Sequence, residues 1–216
     1  MFSHLLALLF PPRCALCKSL LAKEETDYCN HCRKNAPEFK KSHTRLSFLA
    51  GWTSVWYYKD KVRGSILRYK FYGRRNYAPA FGRTLAMKLR KEELDTYDIL
   101  TFVPIAPLRR FKRGYDQVEL LADAVGKELG ISYVRTLRKI RNTPPQSSIK
   151  DVFRRRANVL GAYRSVNPES LRGKRIVLLD DIITTGATAS ECARVLLTAG
   201  AKEVYCVTLA AANPNK

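Results

Sequence analysis

The stretch Arg175-Ile-Val-Leu-Leu-Asp-Asp-Ile-Ile-Thr-Thr-Gly-Ala-Thr188 decides how this chain is read. The apolar run Ile176 to Leu179 has the character of a strand buried on both faces, and Ala187 to Ala199 reads as the helix that follows. Between them a short loop of small and hydroxyl residues opens onto the helix N-terminus. Backbone N–H groups there lack helical partners and sit at the positive end of the helix dipole, which suits a phosphate. Thr184, Thr185 and Thr188 add hydroxyl donors, Ala187 begins the helix, and Gly186 lets the backbone come close. Asp180 and Asp181 stand at the strand's carboxyl end, where open α/β sheets bind ligands. Two adjacent carboxylates accept hydrogen bonds, as two neighbouring sugar hydroxyls require. A Walker-type loop is contradicted, because no Lys follows the Gly and the acids precede the loop. An ordinary strand–turn–helix with chance acids is the competing reading.

Outward from this unit, helices are expected at Lys61–Tyr72, Tyr77–Lys91 and Gln117–Leu129. Strands are expected at Gly51–Tyr58, Asp98–Val103, Ser132–Arg135 and Glu203–Ala210. Strands alternating with helices imply an α/β fold with a parallel sheet covered on both faces. Pro104 to Gly114 reads as a loop at a strand's carboxyl end, carrying Arg109, Arg110, Lys112 and Arg113. Arginine there can grip phosphates bidentately, although the same charges could simply face solvent. Thr143 to Arg156, with two prolines, two serines and a basic cluster, reads as a mobile loop ending in a short helix.

Cys14, Cys17, Cys29 and Cys32 form C-x2-C-x11-C-x2-C. Two such knuckles place four thiolates around one Zn²⁺, and four thiolates leave no open position, so the metal is structural. Disulfides and a redox pair are disfavoured, since no secretory signal and no thioredoxin-like strand-to-helix context is present. His31 lies in the second knuckle without being needed as a ligand, and His4 and His43 read as surface residues. Cys192 and Cys206 read as buried packing residues. The expected division is a zinc module over 1–36, a basic connector over 37–47 and a main domain over 48–216.

Of the 216 residues 46% are apolar, enough to fill a core, so wholesale disorder is excluded. No stretch approaches the roughly 20 apolar residues of a membrane span. Met1 to Phe10 is apolar but lacks a basic start and a cleavage site, so a cytoplasmic protein is expected. The net charge of +20 is concentrated. Residues 59–91 hold eleven basic side chains against Asp60 alone, and residues 135–175 hold twelve against Asp151 and Glu169. Folded side by side, these segments would form a basic surface for a polyanion, nucleic acid first, with solubility or a membrane surface as the plainer alternatives. Lys70, Arg74, Arg75, Arg154, Arg155 and Arg156 are the DNA-binding candidates. Aromatic residues from Trp56 to Phe81 are interleaved with this charge; most are expected in the core, and about a quarter as platforms on which bases stack.

The Asp180-Asp181 unit with its Thr-Thr-Gly-Ala-Thr loop resembles the phosphoribosyl pyrophosphate (PRPP) motif of type I phosphoribosyltransferases. Further phrases are Leu-Phe-Pro-Pro-Arg-Cys from Leu9, Val103-Pro-Ile-Ala-Pro-Leu-Arg-Arg-Phe-Lys-Arg-Gly-Tyr-Asp-Gln117, Thr143-Pro-Pro-Gln-Ser-Ser148 and Arg154-Arg-Arg-Ala-Asn-Val-Leu-Gly-Ala-Tyr163. Together with the cysteine module and in this order, they make nearly the whole chain similar to the ComF family. The resemblance implies a type I phosphoribosyltransferase-like fold behind a zinc module, and a role in DNA uptake during natural competence. By resemblance Asp180 and Asp181 would hold the ribose hydroxyls, Thr184 to Thr188 the 5′-phosphate, and Arg109, Arg110, Lys112 and Arg113 the pyrophosphate, with Mg²⁺ accompanying PRPP. The Thr143–Arg156 loop would close over the ligand or join a nucleic-acid groove, and Lys70 would lie near the cleft or on a solvated helix face. Asp116 departs from the family's usual Asn, and its carboxylate would weaken anion binding nearby unless an arginine pairs with it.

Two functions follow as expectations. One is a competence protein that binds single-stranded DNA and carries a PRPP site, with a DNA-translocating ATPase among its partners. The alternative is an active phosphoribosyltransferase acting on a nucleobase or related acceptor, for which no catalytic acid–base group is identifiable. A purely regulatory RNA or protein binder is the weaker third.

Overall fold

The computed structural model describes residues 11–40, 44–144 and 151–212. The apolar start Met1 to Phe10, His4, His43 and the Pro145 to Ser148 part of the loop lie outside them. In chain order the elements are α1 (Asn30–Asn35), β1 (Gly51–Tyr57), α2 (Asp60–Phe71), α3 (Ala78–Lys91), β2 (Ile99–Phe102), α4 (Pro107–Arg113) and α5 (Gln117–Leu129). They continue with β3 (Leu137–Lys139), α6 (Val152–Val159), β4 (Tyr163–Ser165), β5 (Arg175–Ile183), α7 (Ala187–Thr198) and β6 (Glu203–Ala211).

Four strands form a parallel sheet in the order β1-β6-β5-β2, and β3 and β4 form a separate antiparallel pair. Side chains alternate across the central strand β5, as a period of two demands. Val177 and Leu179 enter one core with Phe81, Leu85 and Leu89 of α3 and Val118, Leu121 and Val125 of α5. Ile176 and Leu178 enter the other, with Cys192, Ala193 and Leu196 of α7. Both faces of the sheet are thus covered, which is why the run Ile176 to Leu179 in the central strand β5 is apolar. Cys192 and Cys206 are fully buried packing residues.

Two expectations need correction. Ser132–Arg135 is no strand: it is reduced to one parallel bridge between Tyr133 and Leu100, with Ile131 and Val134 left exposed rather than packed. Pro104 to Gly114 is not all loop, since Pro107 supplies an N-terminal proline to the helix α4, and Gly114 ends it with φ 73°.

The cysteine segment is built into the main core. Cys14, Ala15, Leu16, Tyr28 and Cys32 share a cluster with Trp56, Val62, Ile66 and Phe81. Polar ties join the same surfaces: Arg68 donates to the Leu16 carbonyl at 2.6 Å, and the Tyr28 hydroxyl donates to the Ala80 carbonyl at 3.1 Å.

Candidate functional site

A cleft of about 370 Å³ opens at the carboxyl ends of β2 and β5. Val103, Pro104 and Ile105 line it after β2, and Asp180 through Ala189 line it from β5 into α7. Gly186 is the N-cap of α7, with φ 74°, and no side chain caps the helix. The left-handed conformation favours glycine, and a Cβ there would meet Leu46 Cδ1 at 2.5 Å. Of the first N–H groups of α7, that of Ala187 makes only a long contact of 3.5 Å to Thr185 Oγ1, which an anion can replace.

Asp180 and Asp181 have unlike surroundings. Asp181 is buried, accepting from Lys70 Nζ at 2.9 Å on one oxygen and from Gln117 Nε2 at 2.9 Å on the other. Each oxygen keeps a second lone pair for a hydroxyl. Asp180 Oδ1 accepts from the Asp181 backbone N–H at 2.8 Å, and the Asp180 carboxylate has no other hydrogen bond among the described residues. Burial of its carboxyl, and then the neighbouring Asp181 charge, push its pKa up to about 8. The residue keeps partial exposure, so a ligand in the cleft can reach it.

Four cations complete the walls: Lys70, Arg109, Arg113 and Lys139. Helical periodicity explains which basic residues of α4 take part, since Arg109 and Arg113 are four apart and share a face. Arg109 donates to the Thr143 carbonyl, and Arg113 donates to Gln117 Oε1 at 2.7 Å while lying over the Phe71 ring at 4.7 Å. Arg110 and Lys112 do not line the cleft: Arg110 pairs with Glu119 at 3.4 Å, and Lys112 is exposed. Asp116 pairs with no arginine among the described residues. It accepts from the N–H groups of Val118 and Glu119 and from that of Ile105, capping α5 and pinning the loop after β2. Burial nonetheless raises its pKa.

The DNA-binding candidates scatter. Lys70 is committed to Asp181, with its side chain 18% exposed, and points into the cleft rather than to an outer face. Arg74 is exposed, and Arg75 lies over the Tyr115 ring at 4.4 Å. Arg154 and Arg156 are exposed and Arg155 is half-buried. Of the interleaved aromatics, Trp56, Tyr69, Tyr77 and Phe81 are core, whereas Phe71 and Tyr72 are exposed. Phe111 and Phe153, each beside arginines, are exposed by 88% and 79%.

Three participants escape a reading of the sequence by motif: Gln117 as the bridge between Arg113 and Asp181, and Lys139 with Tyr163 on the small hairpin. Lys139 shares the inward face of β3 with Leu137, two residues away, so period-two patterning was the available signal.

The sulfurs of Cys14, Cys17, Cys29 and Cys32 all lie within 4.8 Å of one another, and all six cysteines are free. Zn–S bonds of about 2.3 Å place tetrahedral sulfurs about 3.8 Å apart, so the cluster fits a structural Zn²⁺ with no room for a reacting ligand. His31 is exposed and outside the cluster.

Comparison with known proteins agrees with this geometry. Residues 83–216 match the phosphoribosyl transferase domain family, and residues 5–43 match the double zinc ribbon domain. The chain therefore belongs to the phosphoribosyl transferase domain family, with a zinc ribbon in front. It is 28% identical over 186 residues to the DNA utilization protein YhgH of Salmonella typhimurium, covering 83% of this chain and 76% of the relative. It is 27% identical over 209 residues to competence protein F of Haemophilus influenzae, covering 93% and 85%. With competence protein ComFC of Bacillus subtilis it shares 28% over 196 residues, covering 87% and 78%. Within that larger family the protein is a ComF family member. Among solved structures it is similar to the allosteric regulatory enzyme of purine biosynthesis, at 23% identity and a TM-score of 0.45, over 66% of this chain but only 29% of that one.

Proposed function

We propose that this chain binds PRPP in the cleft and handles single-stranded DNA in a competence or DNA-utilization role. The observation that carries the first part is the facing of Asp180 and Asp181 against the uncapped N-terminus of α7, with cations across the cleft. The acids accept the 2′ and 3′ hydroxyls of the pentose. The N–H groups and hydroxyls of Thr184, Thr185, Gly186, Ala187 and Thr188 receive the 5′-phosphate. Arg109 and Arg113 neutralise the diphosphate. Mg²⁺, arriving with the ligand, would screen diphosphate oxygens while keeping most of its ligands as water or ligand oxygens.

The DNA reading is supported by the names of the relatives and by the exposed aromatics set among arginines, namely Phe71 and Tyr72 near Arg74, Phe111 beside Arg110 and Lys112, and Phe153 beside Arg154. Rings stack on bases while the cations follow phosphates. Two titrations test the proposal. PRPP with Mg²⁺ should bind, and pyrophosphate release with a panel of bases would make the chain a transferase as well. Single-stranded DNA titrated at several salt concentrations should bind with a steep salt slope, because each phosphate neutralised releases about 0.7 of a counterion. A weak and salt-independent interaction would remove the DNA part and leave the cleft standing.

A further inference from the structure

We propose that Lys139 reads the diphosphate of the ligand, making the cleft select a pentose that carries a 1-diphosphate over one that carries a 5-phosphate alone. The inference rests on the reading of the cleft as a PRPP site and adds to it a residue on a separate element, the β3–β4 hairpin. Strand alternation turns Leu137 and Lys139 inward and Arg138 outward. Lys139 is left only 7% exposed, yet it lines the cleft. Its ammonium lies over the Tyr163 ring, 5.1 Å from the centroid. Among the described residues it has neither a hydrogen bond nor a carboxylate in ion-pair contact, which sets it apart from Lys70 in the same cleft.

A ring face attracts a cation but does not replace its hydration or a counterion. The charges that act on it include a second cation, Arg109, which lines the same cleft and whose guanidinium is held by the Thr143 carbonyl rather than by an acid, and more weakly Asp180, which is not in ion-pair contact with it. Burial, followed by Arg109, pushes the Lys139 pKa down, and Asp180 offsets this only in part. A dianionic or trianionic group between Lys139 and Arg109 relieves both costs at once. The loop at Thr184 to Thr188 accounts for one phosphate, so the pair is left for the second phosphorylated position of the ligand. Tyr163 holds the ammonium stem in place before the ligand arrives, which reduces what is lost on ordering it.

The test is calorimetry on the full chain, with PRPP plus Mg²⁺ and with ribose 5-phosphate as the two probes, for wild type, Lys139→Met and Lys139→Arg. Lys139→Met should weaken PRPP by about tenfold or more, the value of a hydrogen bond to a charged group. It should leave ribose 5-phosphate within about twofold, which also shows that the variant folds. Lys139→Arg should recover most of the PRPP affinity. The inference is overturned if Lys139→Met binds PRPP as wild type does, or loses both probes in equal measure. Wild type that binds neither probe removes the reading of the cleft itself, and with it the role of Lys139.

Discussion

Asp180 and Asp181 are neighbours on one strand, yet the fold gives them different electrostatic positions. Asp181 is held by Lys70 and Gln117, so its acceptor geometry is set before any ligand arrives. Asp180 has a single backbone donor and the Asp181 charge beside it, and its pKa is raised to about 8. An unfolded aspartate titrates near about 3.9, so between that value and about 8 the folded chain holds a proton that the unfolded chain has released. This group's contribution to stability is therefore full below the unfolded pKa and declines as pH rises through that window. A diol needs an acceptor, so ligand binding favours the ionised form and releases a proton near neutral pH. Carboxyl NMR of the ligand-free chain should find one aspartate titrating in this range, with its midpoint moving down in Asp181→Asn, which removes the like charge. A midpoint for Asp180 in the ordinary carboxylate range would contradict the burial argument.

Short elements decide which charges reach the ligand. The helix α4 turns Arg109 and Arg113 onto the cleft and Arg110 and Lys112 away from it. Accordingly Arg109→Ala and Arg113→Ala should each weaken PRPP binding by about tenfold or more, while Lys112→Ala should stay within about twofold in the same titration. Equal losses at all three positions would mean that overall charge, not the helix face, drives binding. The strand–loop–helix unit from Arg175 to Thr198 was legible in the sequence because an apolar run, two acids, a Gly and small residues all point to one local geometry. The helix α4 was not, since a run of basic residues after two prolines, broken only by Leu108 and Phe111, is too short to announce a period of 3.6. Ser132–Arg135 failed for a different reason. Its local composition favours a strand, but its surroundings leave Ile131 and Val134 at the surface with only one bridge to β2. Lys139 was hidden, and Lys70 was placed near the cleft by resemblance alone, because a basic residue bound for a cleft looks, in sequence, like one bound for solvent.

At the scale of the whole molecule the metal module and the sheet share one core. Such a short cysteine segment has too little apolar surface of its own to fold without metal, and Cys14, Ala15, Leu16, Tyr28 and Cys32 fill space beside α2 and α3. Stripping Zn²⁺ with a chelator should therefore lower the melting temperature of the entire chain in one cooperative transition. Two separate transitions, with the sheet unaffected, would show that the module is only tethered. Members of the two basic segments do meet, Lys70 from the first and Lys139 from the second, but they meet inside the cleft. Under the proposed function the charge concentrated there serves a small anion, and the exposed arginines with Phe71, Tyr72, Phe111 and Phe153 are left for a longer one. The proposed role of the cleft depends on a pentose held by its diol at Asp180 and Asp181. The direct measurement is displacement of bound PRPP by ribose 5-phosphate and by 2-deoxyribose 5-phosphate, which differ by one hydroxyl of that diol. Ribose 5-phosphate should displace PRPP about tenfold or more effectively. Equal displacement by the two sugars would contradict the assignment.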